Sequence, residues 1–600
     1  MDLKSTLQGN MKQGDVFIDK MDKVFASLRA DFDVASAQFS KKKIEELNKV
    51  HVDATKKVST LAVQAQESNG FIKGLRGTGK SHLLLLARDK INTGSKHICI
   101  YINLQEHLNI GGSVVVQERF YVWALLKQLK RQLMYIIDEQ NEAESTITKM
   151  VKKVSKFFLV NEEKEQQDKL TSVFLKLEQL IRQGEDELEM FSLKKSAGQR
   201  SESTNSWGMG AEVDSKGKFK IKAQESESIK GMESLEVGYG AERILDIERL
   251  KTMLIEIVNI LGINGITFFY DEWSMLDNKD QHTLSKLIRA LSSSPLYHWV
   301  AYIPYKSSLG VLEQSADMPH NIDLDLQFIY EENNKVCMNY FIEFIDNRLK
   351  LVFESEVFKA AAFIRQNVME LMVKSSMGNT RDFGVMLNKA WNNYRQDYLV
   401  TEKNKVISKK HVQTAIKALA EEKQANLQAK NSSKYSERLW MEIIKFISEK
   451  KHTHFCIELS DKNVDLIKEE EFIDLLYHRL VHLRKKDYPA KDGGEDRLAI
   501  YSADVSVLFY QIFETRSDSK KIKLVTDSST IHNQIRRYIF NIEGCINEFR
   551  MEQGKQIMCT NPECKKIITE EMKLAWENKM CIYCLTPFSK EDTPIRVKLA

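Results

Sequence analysis

Proline and long apolar segments are scarce in this sequence of 600 residues. It holds only seven prolines, and a chain this poor in the residue that interrupts helices favours a helix-rich protein. No apolar run approaches the roughly 20 residues that cross a bilayer. Residues 1–11 are polar and lack the apolar region of a signal peptide. We therefore expect a cytoplasmic protein that uses no membrane.

An excess of charge of one sign is also missing. The chain has 88 basic and 84 acidic residues, a net charge of +4, whereas a protein that binds nucleic acid mainly through charge is usually far more basic. Apolar residues make up 42%, which is typical of a folded protein. The length predicts about three to five domains.

Cysteines are few and unevenly placed, which argues against a disulfide framework. Of the eight, four are scattered and four crowd the C-terminus at Cys559, Cys564, Cys581 and Cys584. The two close pairs are separated by 16 residues, a spacing typical of a two-knuckle site with four thiolate ligands for Zn²⁺. A zinc ribbon is the preferred interpretation; unliganded buried cysteines and a redox pair are the alternatives.

The apolar pattern changes along the chain and divides it into five regions. Short apolar strands alternate with amphipathic helices in the second region, which predicts an α/β fold with a parallel sheet flanked by helices. A charged insertion interrupts it at about 140–240, helical in its first half and with a β-hairpin around 215–217 in its second. The regions are an N-terminal helical region (1–66), the α/β core (67–335), a helical lid (336–430), a winged helix (435–550) and the zinc ribbon (551–600).

The winged-helix prediction depends on the order of elements after residue 435. The pattern indicates a helix over 437–450, a strand over 454–459, a helix over 470–484 and a strand over 497–502. On the third element, Asp474, His478 and His482 lie one turn apart. That spacing suits a metal, but ordinary surface histidines are the preferred interpretation.

A glycine-rich loop follows the first strand of the α/β core. It fits the pattern G-x-x-x-x-G-K-[ST], with a strand before it and a helix after it. Backbone N–H groups of such a loop wrap phosphates at a helix N-terminus, while the lysine reaches the β- and γ-phosphates and the hydroxyl binds Mg²⁺. The predicted ATP-binding residues are Gly74, Leu75, Arg76, Gly77, Thr78, Gly79, Lys80 and Ser81.

An apolar strand that ends in two acids supplies the second half of a hydrolase site. Residues 266–272 read Ile-Thr-Phe-Phe-Tyr-Asp-Glu. Asp271 is predicted to hold the Mg²⁺ shell, and Glu272 to polarise the attacking water as general base.

These motifs resemble those of the AAA+ ATPases, in particular the origin-recognition and replication-initiator type with its prokaryotic relatives. The resemblance covers roughly residues 66–430 and includes the stretch Gly378-Asn-Thr-Arg381-Asp382 in the lid. It implies that Arg381 contacts the γ-phosphate. It also implies an arginine finger, for which Arg289 and Arg348 are candidates, and a first sensor after the fourth core strand, where residues 306–308 give no clear match.

The resemblance leaves the biological role open between several uses. One is an ATPase that loads or remodels double-stranded DNA, as a homo-oligomer and within a prokaryotic antiviral defence system. Another is a nucleotide switch like the STAND NTPases, which assembles with a separate effector protein; a non-catalytic scaffold fits the intact motifs poorly. Basic groupings at 41–43, at 484–486 and over 516–537 could bind phosphates, yet residues 441–600 hold 26 basic and 26 acidic side chains.

Overall fold

A computed structural model describes most of the chain as a set of packed helical and α/β units. None of the helices in the described ranges is both long and apolar enough to span a bilayer. The described residues are 11–28, 37–107, 114–136, 168, 169, 171–182, 184, 210–213, 219–222, 247–354, 358–401, 406–429, 434–490, 497–508, 533–570 and 572–588.

The N-terminal region contributes three described helices that pack on two different parts of the molecule. Met21, Val24 and Phe25 of the first helix join the apolar core of the lid. The second and third helices pack instead against the central sheet. The helices are α1 (Met11–Ser27), α2 (Lys41–Val50) and α3 (Lys57–Gln64).

Five parallel strands form the central sheet, in the order β2-β5-β6-β1-β7, and helices flank it. This is the predicted α/β arrangement. The strands are β1 (Gly70–Lys73), β2 (Ile98–Asn103), β5 (Ile266–Asp271), β6 (Leu296–Tyr302) and β7 (His320–Asp323), with β3 (Gly210–Val213) and β4 (Phe219–Lys222) apart from them. The helices are α4 (Lys80–Gly94), α5 (Val114–Ile136), α6 (171–182), α7 (Ile247–Leu261) and α8 (Asn278–Leu291).

Both faces of the sheet are covered, which is why its central strands are rich in buried apolar residues. Phe268 and Tyr270 of β5 point into a core with α5 to α8, whereas Phe269 points into the opposite core with α2 to α4. Side chains that alternate between two buried faces leave only the strand ends for polar groups. Functional side chains therefore collect at the carboxyl edge of the sheet.

The insertion is described only in part. Strands β3 and β4 pair in antiparallel register, with Ala211 opposite Ile221, which confirms the predicted hairpin. Helix α6 belongs to the predicted helical half and packs against the sheet through Phe174 and Leu177. The rest of the predicted insertion lies outside the described residues.

Four helices form the described lid and share one apolar core with α1. Phe341 and Phe383 lie at its centre, with ring centroids 4.3 Å apart. The helices are α9 (Asn334–Phe353), α10 (Gln366–Ser375), α11 (Thr380–Thr401) and α12 (Lys409–Ala429).

A C-terminal unit follows, with a three-stranded antiparallel sheet of order β8-β10-β9. The predicted helix over 470–484 is wrong in its last part. It ends at Tyr477, Arg479 takes a left-handed conformation with φ of 59°, and a strand begins at Val481 that pairs in antiparallel register with residues 497–503. The elements are α13 (Lys434–Lys450), β8 (His454–Glu458), α14 (Asp461–Leu466), α15 (Glu470–Tyr477), β9 (Val481–Pro489), β10 (Arg497–Ala503) and α16 (Ile542–Glu552).

The last described segment is a small unit with a core of its own. Its core consists of the cysteines together with Ile557, Ile568, Ala575 and Phe588. Its elements are β11 (Gln556–Met558), β12 (Ile567–Thr569) and α17 (Lys573–Glu577).

Candidate functional site

A cavity of about 580 Å³ opens at the carboxyl edge of the sheet and collects most of the predicted site residues. Its wall includes the loop after β1, the end of β5 and the start of α11. The first and the last of these are about 300 residues apart in sequence. Gly74 and Leu75 lie just outside the wall. The predicted residues in the wall are Arg76, Gly77, Thr78, Gly79, Lys80, Ser81, Asp271, Glu272 and Arg381.

The glycine-rich loop, residues 74–79, has the backbone that its glycines allow. Gly77 and Gly79 have φ of +85° and +91°, a left-handed conformation that other residues seldom adopt. A Cβ on Gly77 would lie 2.3 Å from Cβ of Arg381, whereas a Cβ on Gly79 would meet nothing within 4 Å. The loop is thus packed on one side and open on the cavity side, so its backbone can approach a ligand closely.

Helix α4 begins at Lys80, directly after this loop, and aims its N-terminus at the cavity. Gly79 is its N-cap and has no side chain to accept from the first N–H groups of the helix. Those N–H groups and the helix dipole together favour an anion at this position.

Lys80 lies inside the loop rather than in solvent. Its Nζ donates to the carbonyl oxygens of Gly74, at 2.7 Å, and of Leu75, at 3.1 Å. Burial lowers the pKa of Lys80, and the negative charges of Asp271, Asp325 and Glu272 oppose that shift. The ammonium group is therefore held next to the loop, where it can move to a phosphate oxygen.

Asp271 ends β5 and is fully buried. One carboxylate oxygen, Oδ2, accepts from the hydroxyl of Tyr101 at 2.6 Å, and Oδ1 accepts from the N–H of Glu272 at 2.9 Å. These two hydrogen bonds fix the carboxylate at the cavity wall. Ser81 lies in the same cavity wall, and a carboxylate and a hydroxyl are oxygen donors of the kind that Mg²⁺ prefers.

Glu272 follows in a strained conformation, with φ of 57°, which is unusual for a residue with a side chain. Burial raises its pKa, and the charge of Asp271 raises it further, while Lys80, Arg76 and Arg381 lower it. A carboxylate with a raised pKa is a better proton acceptor. Strain of this kind often marks a functional position.

Two further residues support the loop and were missed by sequence reasoning. The carboxylate of Asp325 accepts the N–H of Leu75 at 2.7 Å, and the side-chain amide of Asn379 donates to the carbonyl of Arg76 at 3.0 Å. Asp325 lies two residues after β7, just as Asp271 lies at the end of β5. This position at a strand end is a sequence signal that could have identified Asp325. Asn379 lies in the lid, and its only sequence signal is that it stands close to Arg381.

The two arginine-finger candidates occupy different environments. Arg289 is exposed on α8 and forms ion pairs with Glu313 and Asp317, at 3.7 and 3.4 Å. Arg348 is only 5% exposed and lies in the wall of the cavity, so it is not on a solvated face of its helix. An arginine that turns into its own cavity does not reach the site of a neighbouring subunit.

Residues 306–308 do not line the cavity, so the first sensor is not found there. Lys306 instead donates to Asp474 at 2.8 Å, and the hydroxyl of Ser307 donates to that of Ser274 at 2.9 Å. Ile303 is the residue after β6 that lies in the cavity wall.

The grouping of Asp474, His478 and His482 does not form a metal site. His482 lies on β9 rather than on the helix, and its Nε2 pairs with Asp504 at 2.8 Å. Asp474 is buried against Lys306 and Ser436. Within the described ranges, the C-terminal cysteines are the group found to be suitable for a metal.

The sulfurs of Cys559, Cys564, Cys581 and Cys584 all lie within 4.8 Å of one another. The Sγ atoms of Cys559 and Cys584 are 3.4 Å apart, and those of Cys564 and Cys581 are 3.8 Å apart. This cluster can bind a metal such as zinc.

The basic run at 484–486 does not form a continuous face of free basic groups. Arg484 is buried and pairs with Glu331. Lys485 and Lys486 are nearly half exposed, at 3.9 Å from Glu332 and 3.3 Å from Asp323. Each of the three side chains thus lies beside an acid, which weakens the run as a phosphate-binding surface.

A comparison of the chain with protein-family models and with curated proteins gives no match. The case for a function therefore depends on the chemistry of the cavity and of the cysteine cluster.

Proposed function

We propose that this chain is a Mg²⁺-dependent ATPase of the AAA+ type, in which the glycine-rich loop is a P-loop. The observation that supports it best is the convergence of Lys80, Ser81, Asp271, Glu272 and Arg381 on one cavity. Each of these residue types has a distinct task in phosphoryl transfer, and together they make up a complete hydrolytic site.

The P-loop binds and orients the triphosphate. The open side of Gly79 and the N-terminus of α4 receive phosphate oxygens, and Lys80 exchanges its two carbonyl partners for the β- and γ-phosphates. Ser81 and Asp271 would hold Mg²⁺, which when bound neutralises charge on the phosphate oxygens. Arg381 adds positive charge from the lid side of the cavity.

Glu272 acts as the general base. Its carboxylate is partly buried beside Asp271, and it accepts a proton from the water that attacks the γ-phosphate. The positive charges of Lys80, Arg76 and Arg381 lower the pKa of Glu272 and so oppose the effect of burial. The lid residue Asn379 holds the P-loop backbone during this step through its bond to Arg76.

The test is ATP turnover by the purified protein, with and without double-stranded DNA. Glu272→Gln should retain ATP binding and lose turnover by a factor of about 100 or more, and Lys80→Ala should lose ATP binding. Arg438→Ala serves as the control, because Arg438 is exposed, pairs with Glu552 on the surface and lies outside the cavity wall. Full turnover in the Glu272→Gln variant would contradict the assigned base.

The four cysteines form a structural zinc ribbon in this proposal. Four Zn–S bonds of about 2.3 Å in a tetrahedron place the sulfurs about 3.8 Å apart, close to the separations of 3.4 and 3.8 Å in this cluster. Four thiolates leave no coordination position for water. The site therefore stabilises the small unit that contains β11, β12 and α17, and it does not catalyse.

A nucleotide switch is the second candidate, and the packing of the C-terminal unit favours it over DNA loading. The order helix, strand, two helices and two strands in this unit is that of a winged helix. Its helix α15 faces the nucleotide cavity: the ring of Tyr477 lies 5.4 Å from the guanidinium of Arg76, and Asp474 pairs with Lys306. A winged helix held this way can respond to the nucleotide, but α15 is not exposed for reading DNA.

ATP turnover measured with and without double-stranded DNA distinguishes the two candidate functions. Turnover that DNA stimulates several-fold supports the DNA-associated ATPase, acting as a homo-oligomer or in antiviral defence. Slow turnover that is indifferent to DNA supports the switch, which would then act on a separate effector protein.

A further inference from the structure

Part of the cavity wall, which we call the apolar end, differs in character from the glycine-rich loop. It is apolar and aromatic, and the rings of Phe328 and Tyr340 stack with centroids 3.9 Å apart. Leu28, Val50 and Phe344 complete this wall. Such a surface suits a flat ring, as the base of a nucleotide is.

One permanent cation lies in this apolar end. The guanidinium of Arg348 stacks on Phe344, 3.7 Å from its ring centroid. Its Nη1 donates to the carbonyl of Phe344 at 2.8 Å and more weakly to that of Val50 at 3.4 Å, and Nε approaches the carbonyl of Ser27 at 3.5 Å. These contacts fix the plane of the guanidinium.

Nη2 is the group of Arg348 that remains for a ligand. Within the part of the chain that the structure describes, it has no hydrogen-bond partner, and it is not sealed from the cavity. No described carboxylate lies within ion-pair distance of Arg348. A buried arginine without an acid is costly to maintain, and burial lowers its pKa only to about 10, so it stays charged.

Two histidines near Arg348 in the wall are neutral at physiological pH, and the carboxylate of Asp53 accepts from the backbone N–H groups of Lys57 and Val58 instead of pairing with Arg348. His51 and His82 both have lowered pKa values, chiefly through burial, with the charge of Arg348 as a smaller cause; that of His82 falls to about 3. A neutral imidazole does not compensate the charge of Arg348. The fixed donor at this end therefore needs an acceptor from the ligand.

We propose that Arg348 is the residue that binds the nucleotide base: its Nη2 donates to an acceptor atom on the edge of a purine. Purine edges carry ring nitrogens that accept, and arginine is a frequent partner of them. The proposal rests on the proposed nucleotide site and adds a residue that recognises the base rather than the phosphates. It makes Arg348 important for affinity toward a nucleotide, but not toward a phosphate chain alone.

The first experiment compares two ligands on the full-length protein, ATP and inorganic tripolyphosphate, by calorimetry. Arg348→Met should weaken ATP binding about tenfold, the value of one lost hydrogen bond, and should change tripolyphosphate binding less than about twofold. Arg438→Met is the matched control, because it removes an exposed arginine outside the cavity wall and should change neither. Equal loss for both ligands would overturn base recognition, since it would mean that Arg348 only supports the fold.

The second experiment alters the ligand, so that it does not depend on how the variant folds. ATP analogues in which one ring nitrogen at a time is replaced by CH are bound to the wild-type protein. One analogue should bind about tenfold more weakly than ATP and should lose no further affinity in Arg348→Met. Equal affinity for ATP and all analogues would overturn the proposal. If the wild-type protein binds neither ATP nor tripolyphosphate, the nucleotide site itself is refuted, and base recognition with it.

Discussion

At the scale of single residues, Asp325 shows how a side chain outside the cavity can determine the P-loop. Its carboxylate accepts the N–H of Leu75 at 2.7 Å, and Lys80 contributes a nearby positive charge. Burial raises the pKa of Asp325, while these two partners lower it. The residue anchors the first turn of the loop, so the position of the phosphate-binding N–H groups depends on it.

Asp325→Ala should therefore damage the P-loop without touching a ligand. The N–H of Leu75 would lose its acceptor, which costs about 1–3 kcal/mol, and we expect a lower melting temperature together with ATP affinity reduced about tenfold. Thermal unfolding and calorimetric titration measure the two effects.

Asp325→Asn is the control for this prediction, because its side-chain oxygen can still accept the same N–H. It should stay close to the wild type in both measurements. An Asp325→Asn variant as impaired as Asp325→Ala would show that the charge, rather than the hydrogen bond, is what matters at this position.

Residues that the sequence identifies stand in short motifs, whereas the roles of other residues depend on contacts that are distant in sequence. Lys80, Ser81 and Asp271 stand in short patterns whose spacing reflects the chemistry. Asp325 and Arg348 contact partners 250 and 298 positions away in sequence, so only the folded chain shows that Asp325 supports the loop from outside the cavity and that Arg348 lies in the cavity wall. Long-range pairing of this kind leaves no periodicity to detect.

At the scale of elements, the strands of the core were predictable and the end of α15 was not. Strands β2 and β5 are apolar throughout because both sheet faces are covered. By contrast, residues 470–484 contain apolar positions at helical spacing, yet Arg479 adopts φ of 59° and the chain turns into β9. The left-handed conformation of Arg479 ends the helix despite the helix propensity of the segment. An arginine side chain gives no sequence signal for that conformation.

The cysteine cluster allows a prediction for the last elements. The core around β11, β12 and α17 is small and contains the cysteines themselves, so we expect it to fold only with metal bound. Cys581→Ser should reduce zinc from about one ion per chain to near zero, and amides of residues 556–588 should then exchange hydrogen freely. Metal analysis and hydrogen exchange provide the measurements.

Cys545→Ala is the matched control for that variant. Cys545 is buried in the core of the C-terminal unit, away from the cluster, so this change should leave the zinc content at about one per chain. Loss of zinc in both variants, or protected amides in a zinc-free Cys581→Ser protein, would contradict the prediction.

At the scale of the whole molecule, a buried network of charges joins the lid to the C-terminal unit. Asp382, the neighbour of Arg381, accepts from Nε of Arg479 at 3.1 Å and pairs with Lys423 at 2.7 Å. Lys423 also pairs with Asp504 at 2.8 Å. Asp382 is the sequence neighbour of Arg381 in the cavity wall, so we expect a shift of the C-terminal unit to act on that wall.

The carboxylates in this network determine whether the stability of the fold rises or falls with pH. Burial alone would raise the pKa of Asp382, but the charges of Arg479 and Lys423 hold it below its ordinary value. The pKa of Asp504 is likewise lowered, by Lys423 and His482 against the effect of burial. Groups with lowered pKa values stabilise the fold above an unfolded pKa of about 4, and this stabilisation is lost as the pH falls below it.

Arg479→Ala should loosen the C-terminal unit at neutral pH. Removing one partner of a buried ion pair costs about 3 kcal/mol, which should lower the calorimetric transition of that unit by about 10 °C. Arg438→Ala is the control, because Arg438 is exposed and pairs with Glu552 on the surface, an interaction worth at most about 1 kcal/mol.

The difference in stability between wild type and Arg479→Ala should be largest near pH 7 and should shrink below about pH 4, as Asp382 takes up a proton. Equal shifts for the two arginine variants, or a difference that does not change with pH, would show that this network does not hold the C-terminal unit on the lid.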